Sequence, residues 1–75
     1  MIKVIIRSPT KLIFEGTAES VIMPGEYGVF ETLTFHKRLI SRLLKGSIDV
    51  DGRLFPIQRG IAKVDRDSVT VIAEQ

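Results

Sequence analysis

The chain has 75 residues, 44% of them hydrophobic and 27% charged, with no cysteine and a formal net charge of +2. That length allows one small domain with a modest core and no large enclosed substrate cavity. The composition is that of a globular chain rather than a disordered one, and the lack of cysteine excludes disulfides, zinc–thiolate sites and iron–sulfur clusters.

A single core of this size leaves only about 3–5 kcal/mol, so packing against a partner is an attractive source of further stability. The small net charge does not name nucleic acid as that partner, because such binding needs cations concentrated on one face. The opening run Met1-Ile2-Lys3-Val4-Ile5-Ile6-Arg7 carries a charge inside it. It is far shorter than a signal-peptide core or a membrane span, and the chain reads as soluble and cytoplasmic.

Turn signals recur at short intervals: Ser8-Pro9, Gly16, Pro24-Gly25, Gly28, Gly46, Asp51-Gly52, Gly60 and Asp65-Arg66-Asp67. Between them lie short runs of Ile, Val, Leu and Phe, the pattern of an all-β sandwich or barrel. Strands are expected at 2–7, 11–15, 18–23, 28–32, 47–51, 53–58, 61–64 and 69–73. Asp51-Gly52 suits a two-residue type I′ hairpin turn, and Asp65-Arg66-Asp67 suits a second hairpin. Asp49 and Asp51 could also suggest calcium, but the remaining oxygen ligands of an EF-hand loop are missing, so a turn role is preferred. Thr34 to Lys45 departs from the pattern. Leu39, Ile40, Leu43 and Leu44 would line one face of a helix, and periodicity alone favours helix there.

Catalysis has little support in the residues. His36 is the only histidine, and no Ser–His–acid constellation can be assembled around it. The carboxylate pairs Glu15 with Glu19 and Asp49 with Asp51 suit solvated strand surfaces and turns better than acid–base work. Pro24-Gly25-Glu26-Tyr27-Gly28 matches neither a dinucleotide fingerprint nor a phosphate loop and reads as a tight turn in which Pro24 fixes φ and each glycine allows a backbone geometry that other residues resist. After it come Tyr27, Val29, Phe30, Leu33 and Phe35, then a basic cluster of Lys37, Arg38, Arg42 and Lys45. The apolar residues could all be core and the cations a solvated face, while an exposed aromatic beside basic groups suits a protein contact.

Taken together, Ile2 to Pro9 followed by Phe14-Glu15-Gly16, the Glu19-to-Gly28 strand and Pro-Gly-x-x-Gly turn, the Asp51-Gly52 hairpin, Arg59-Gly60-Ile61-Ala62-Lys63-Val64 and Val69 to Glu74 form one ordered pattern along the chain. It resembles the N-terminal β-sandwich domain of the epsilon subunit of F-type ATP synthase, the central-stalk subunit called delta in mitochondria. The resemblance implies a flattened sandwich of two antiparallel sheets, with residues 39–44 extended rather than helical. It implies a non-catalytic rotor role without a cofactor or metal: gripping gamma, touching the c-ring, and coupling ion translocation to ATP synthesis. By position, Ser8, His36 and Ser41 would face gamma, and Tyr27, Val29 and Glu31 would point at the c-ring.

Where the family usually has Gly-Val-Leu-Pro-Gly-His-Ala-Pro, this chain has Glu31-Thr32-Leu33-Thr34-Phe35-His36-Lys37-Arg38. The family's C-terminal helical hairpin has no counterpart in residues 1–75, read as a single sandwich domain. The same residues admit an alternative, a stand-alone sandwich that holds an anionic ligand or nucleic acid through its basic and aromatic loop.

Overall fold

The computed structural model describes residues 1–33 and 37–75, and every regular element among them is a strand. The strands are β1 (Ile2–Arg7), β2 (Leu12–Ala18), β3 (Ser20–Gly25), β4 (Gly28–Leu33), β5 (Leu39–Leu43), β6 (Gly46–Val50), β7 (Arg53–Ile57), β8 (Arg59–Val64) and β9 (Ser68–Glu74). Successive side chains on a strand point to opposite faces, and burial follows that alternation. Ile2, Val4 and Ile6 of β1, Val69, Val71 and Ala73 of β9, and Ala62 and Val64 of β8 are buried together with Val21, Met23, Leu43, Ile48, Val50 and Ile57 in one core.

The strands form one curled ladder in the order β2-β1-β9-β8-β5-β3-β6-β7, with β4 on the other side of β3. All neighbours are antiparallel except β1 and β9, which run parallel, a departure from the wholly antiparallel expectation. The link between β5 and β3 is a single residue pair, Gly25 with Leu43. It divides the ladder into a half containing β2, β1, β9, β8 and β5 and a half containing β4, β3, β6 and β7. The two halves share the core, which gives the expected sandwich.

Among the described residues three short connections carry the chain from one half to the other, at Glu19, at Leu44-Lys45 and at Gln58, as strands that switch sheets at corners do. At the first, only Glu19 separates β2 from β3. The Asp51 carboxylate holds this bend by accepting hydrogen bonds from the Glu19 N–H (3.0 Å) and the Ser20 N–H (3.0 Å). At the second, Leu44 and Lys45 separate β5 from β6. There the Leu44 N–H donates to the Pro24 carbonyl (2.8 Å) and the Glu26 N–H donates to the Arg42 carbonyl (3.1 Å). Pro24 has no N–H to offer its neighbour, and it sits where the ladder along β3 jumps from Leu43 to Asp49.

The Asp51-Gly52 hairpin forms as expected, with φ of 49° at Asp51 and 91° at Gly52, both in the left-handed range of a type I′ turn. Asp49 accepts the Gly52 N–H at 2.7 Å, so both aspartates serve the backbone. The Asp65-Arg66-Asp67 hairpin also forms between β8 and β9. In the Pro24-to-Gly28 turn only Gly28 has positive φ, at 124°. Gly25 is instead confined by Phe30, whose ring would lie 2.7 Å from an added Cβ.

Residues 39–43 and two of the glycines, Gly16 and Gly60, depart from the local expectations. Residues 39–43 are a strand, not a helix: Leu43 is buried, Leu39 and Ser41 are half-buried, and Ile40 and Arg42 are exposed, an alternation with period two. Gly16 is not a turn residue. It lies within β2 opposite Val4, and an added Cβ would stand 3.0 Å from the Phe14 ring, so its small size makes room for that aromatic.

Candidate functional site

The strand registers sort the exposed side chains of the two halves into different surfaces. On the outer face of the β2-β1-β9-β8-β5 half, Arg42, Ile61, Ile72 and Arg7 align across four strands, with Ile40, Lys63, Thr70 and Ile5 in the next row. Ile40, Ile61 and Ile72 are 73%, 54% and 51% exposed. The outward strand positions of this half carry the cations Lys3, Arg7, Arg42, Arg59 and Lys63 against the carboxylates Glu15 and Glu74. Arg59 Nε binds Glu74 Oε2 at 2.9 Å, and that hydrogen bond, followed by the charge of Glu74, raises the Arg59 pKa.

The opposite face is acidic. Glu31, Ile22, Asp49 and Leu54 align across β4, β3, β6 and β7, and the outward strand positions of this half hold no Lys or Arg. A net charge of +2 thus conceals a basic, isoleucine-striped face and an acidic one.

Two open grooves adjoin the basic face and share Arg42 and Ile61. The first, about 570 Å³, runs between β5 and the β3–β4 turn and includes Tyr27, Val29, Phe30, Ile40 and Ser41. The second, about 560 Å³, is bounded by Pro9, Leu44, Gly60, Ile72 and Glu74 among others. Both are mainly apolar, with the 81%-exposed Arg42 side chain at the 4.0 Å limit of contact with Glu26 and Arg59 bonded to Glu74 beside them. Among the described residues no three His, Cys, Asp or Glu side chains gather as a metal site. The grooves offer contact area rather than acid–base chemistry.

The residues expected to face gamma are not brought together as a hydroxyl cluster. Ser8 serves the β1–β2 turn, its Oγ accepting the Lys11 N–H at 3.1 Å, and its neighbour Pro9 reaches the second groove. Ser41 Oγ donates to the Arg42 carbonyl at 2.9 Å and borders the first groove. His36, with Phe35, lies outside the described residues. Of the residues expected to face a c-ring, Tyr27 and Val29 stand out from the β3–β4 hairpin at 98% and 74% exposure. Glu31 lies on the acidic face and accepts a hydrogen bond from Ser20 Oγ at 2.6 Å.

The basic cluster read from the sequence disperses in space. Arg38 pairs with Asp65 at 3.2 Å, whereas Arg42 joins the isoleucine face. That face was missed as a unit, although Arg59-x-Ile61-x-Lys63 opposite Gly60-x-Ala62-x-Val64 already has the alternation of a strand with two different faces.

These features define a small β-sandwich with a basic isoleucine face, an acidic face and two open apolar grooves. The family model for the ATP synthase delta/epsilon chain, β-sandwich domain, matches residues 1–75, and the chain belongs to that family. It is 38% identical over 74 residues to the ATP synthase epsilon chain of Campylobacter jejuni strain 81-176, covering 92% of this chain and 57% of the relative. It is 37% identical to the epsilon chain of Campylobacter lari, covering 99% of this chain and 61% of the relative. The chain thus spans somewhat more than half the length of these relatives. A chain of the Tetrahymena thermophila mitochondrial ATP synthase central stalk and c-ring structure superposes with a TM-score of 0.78 at 14% identity, over 99% of this chain and 63% of that one. That match supports the same fold.

Proposed function

We propose that the chain is the sandwich domain of a non-catalytic central-stalk subunit in a rotary F-type ATP synthase. It links gamma to the c-ring, so that ion translocation is coupled to ATP synthesis. It works peripherally to the membrane, on its cytoplasmic side, and needs no cofactor. The observation that carries this reading is the pair of unlike faces on one rigid sandwich: an isoleucine face rimmed by cations, and an acidic face reached by an exposed hairpin tip. A coupling element must hold two partners at once, and two chemically distinct surfaces allow that without competition.

Ser8, Ser41 and His36 are assigned to the gamma side, with Ile61 and Ile72 supplying the apolar area that the hydroxyls lack. Tyr27, Val29 and Glu31 are assigned to the c-ring side, where the Glu31 carboxylate suits basic groups on the polar loops. The nucleic-acid alternative is weaker. A stacking platform is the usual companion of a basic nucleic-acid groove, and the strand positions of the basic face carry isoleucines and no aromatic side chain.

Co-purification decides between these readings. Tagged chain should retain gamma from the same organism and leave DNA unbound. Failure to retain gamma, or salt-sensitive retention of a generic polyanion in its place, would sink the stalk assignment.

A further inference from the structure

The first groove lies between two strand edges on which some backbone groups have no partner among the described residues. In an antiparallel ladder, residues whose N–H and C=O turn toward one neighbour alternate with residues whose groups turn away. The Arg42 carbonyl accepts the Glu26 N–H, so the backbone groups of Arg42 turn away from β8. Ile40, two positions earlier on the same strand, must turn the same way. The Ile40 N–H and C=O and the Arg42 N–H therefore project from the outer edge of β5, and they have no hydrogen-bond partner among the described residues.

Across the groove the same reasoning applies to β4. Pro24 directs its carbonyl to Leu44, on the side of β3 away from β4. Val29, opposite Pro24, accordingly turns its N–H and C=O away from β3. Two open strand edges thus flank a trough of about 570 Å³ that includes Phe30, Leu39 and Ile40, and Val29, whose side chain is assigned above to the c-ring side, contributes its backbone edge to it.

We infer that this trough receives an extended segment of a partner chain as an added strand along β5. The inference rests on the stalk reading, in which that partner is gamma. Unpaired backbone donors and acceptors specify an extended peptide, and an apolar trough selects apolar side chains on alternate positions of it. Arg42, whose side chain is 81% exposed and only 4.0 Å from Glu26 at best, selects a carboxylate beside them. A second copy of this chain is the poorer occupant. Antiparallel pairing of β5 with itself would bring Arg42 close to its own copy, and like charges on paired strands are destabilising.

Amide hydrogen exchange on the chain, alone and with gamma from the same organism, tests the inference. In the free chain the Ile40 and Arg42 amides should exchange as fast as exposed ones, and in the complex they should slow by at least about tenfold. Ile40→Pro removes the donor at a position where an edge strand tolerates proline. It should melt like the native chain and bind gamma at least about tenfold more weakly, while Ile40→Val binds normally.

A complex that forms without protection of Ile40 and Arg42 overturns the added strand and leaves the stalk reading standing. Absence of any complex overturns both. Protection that grows with the chain's own concentration, without gamma, assigns the trough to a second copy and also overturns the inference. Should Ile40→Pro fail to fold, the exchange result on the native chain decides.

Discussion

Thr32 is 1% exposed, and its Oγ1 has no hydrogen-bond partner among the described residues. A buried hydroxyl left unsatisfied costs about 1–3 kcal/mol, and valine fills nearly the same volume without that penalty. Thr32→Val is therefore expected to stabilise the chain by about 1 kcal/mol in denaturant unfolding, given that typical cost. Unchanged or lower stability would show that the hydroxyl is satisfied in solution.

Asp51 is the opposite case, a carboxylate engaged by the Glu19 and Ser20 N–H groups from across the first bend. Asp51→Ala should cost about 2 kcal/mol, as loss of charge-assisted bonds and of a residue tolerant of positive φ predicts. Asp51→Asn, which keeps one acceptor and that tolerance, should cost less. Equal losses in the two variants would remove the clamp from the explanation. The turn role of Asp51 was legible in the Asp51-Gly52 dipeptide. Its clamp was not, because the amides it holds lie 31 and 32 positions away.

At the level of elements, short apolar runs and turn dipeptides located most strands, and the failures have local causes. Leu39, Ile40, Leu43 and Leu44 mimic a helical face because the strand ends at Leu43 and the chain bends at once, so an outward Leu44 follows an inward Leu43. Gly16 and Gly60 looked like punctuation but lie inside β2 and β8, placed by close packing rather than by φ.

An added Cβ at Gly60 would come within 2.7 Å of the Ile72 carbonyl oxygen and 3.0 Å of Ala73, both on the paired strand β9. Gly60→Ala is accordingly expected to cost about 1–3 kcal/mol through forced separation of the two strands. Equilibrium unfolding measures it, and a neutral result would mean that β8 and β9 are less closely apposed than described. Opposite this ladder, Phe14 of β2 meets Phe55 of β7 with ring centroids 5.2 Å apart, and Arg53 lies over both rings. This contact joins the two ends of the ladder by side chains alone, a closure that no hydrogen-bond pattern or sequence spacing displays.

For the whole molecule, the fold class and the family pattern were legible because they depend on the order of strands and turns along the chain. The faces were less legible, since they depend on which strands become neighbours. Ile61 and Ile72 are 11 positions apart in sequence and directly paired in space, and Arg7 and Arg42, from distant parts of the sequence, flank them on either side. The expected gamma residues Ser8 and Ser41 lie at the borders of this surface, with their hydroxyls occupied locally. The isoleucines between them are thus the better carriers of affinity.

Charge segregation makes a related demand. Attraction to an acidic partner through the cationic rim should speed association at low ionic strength and fade as salt screens it.

Docking of gamma on the basic isoleucine face, as proposed above, is tested most directly by titration of gamma with native chain and with Ile61→Asp. Ile61 is 54% exposed and borders both grooves, so the substitution should leave the melting temperature unchanged and weaken binding by at least about tenfold, as for a central contact residue. Native affinity in Ile61→Asp, or no binding of gamma by the native chain, would contradict the claim.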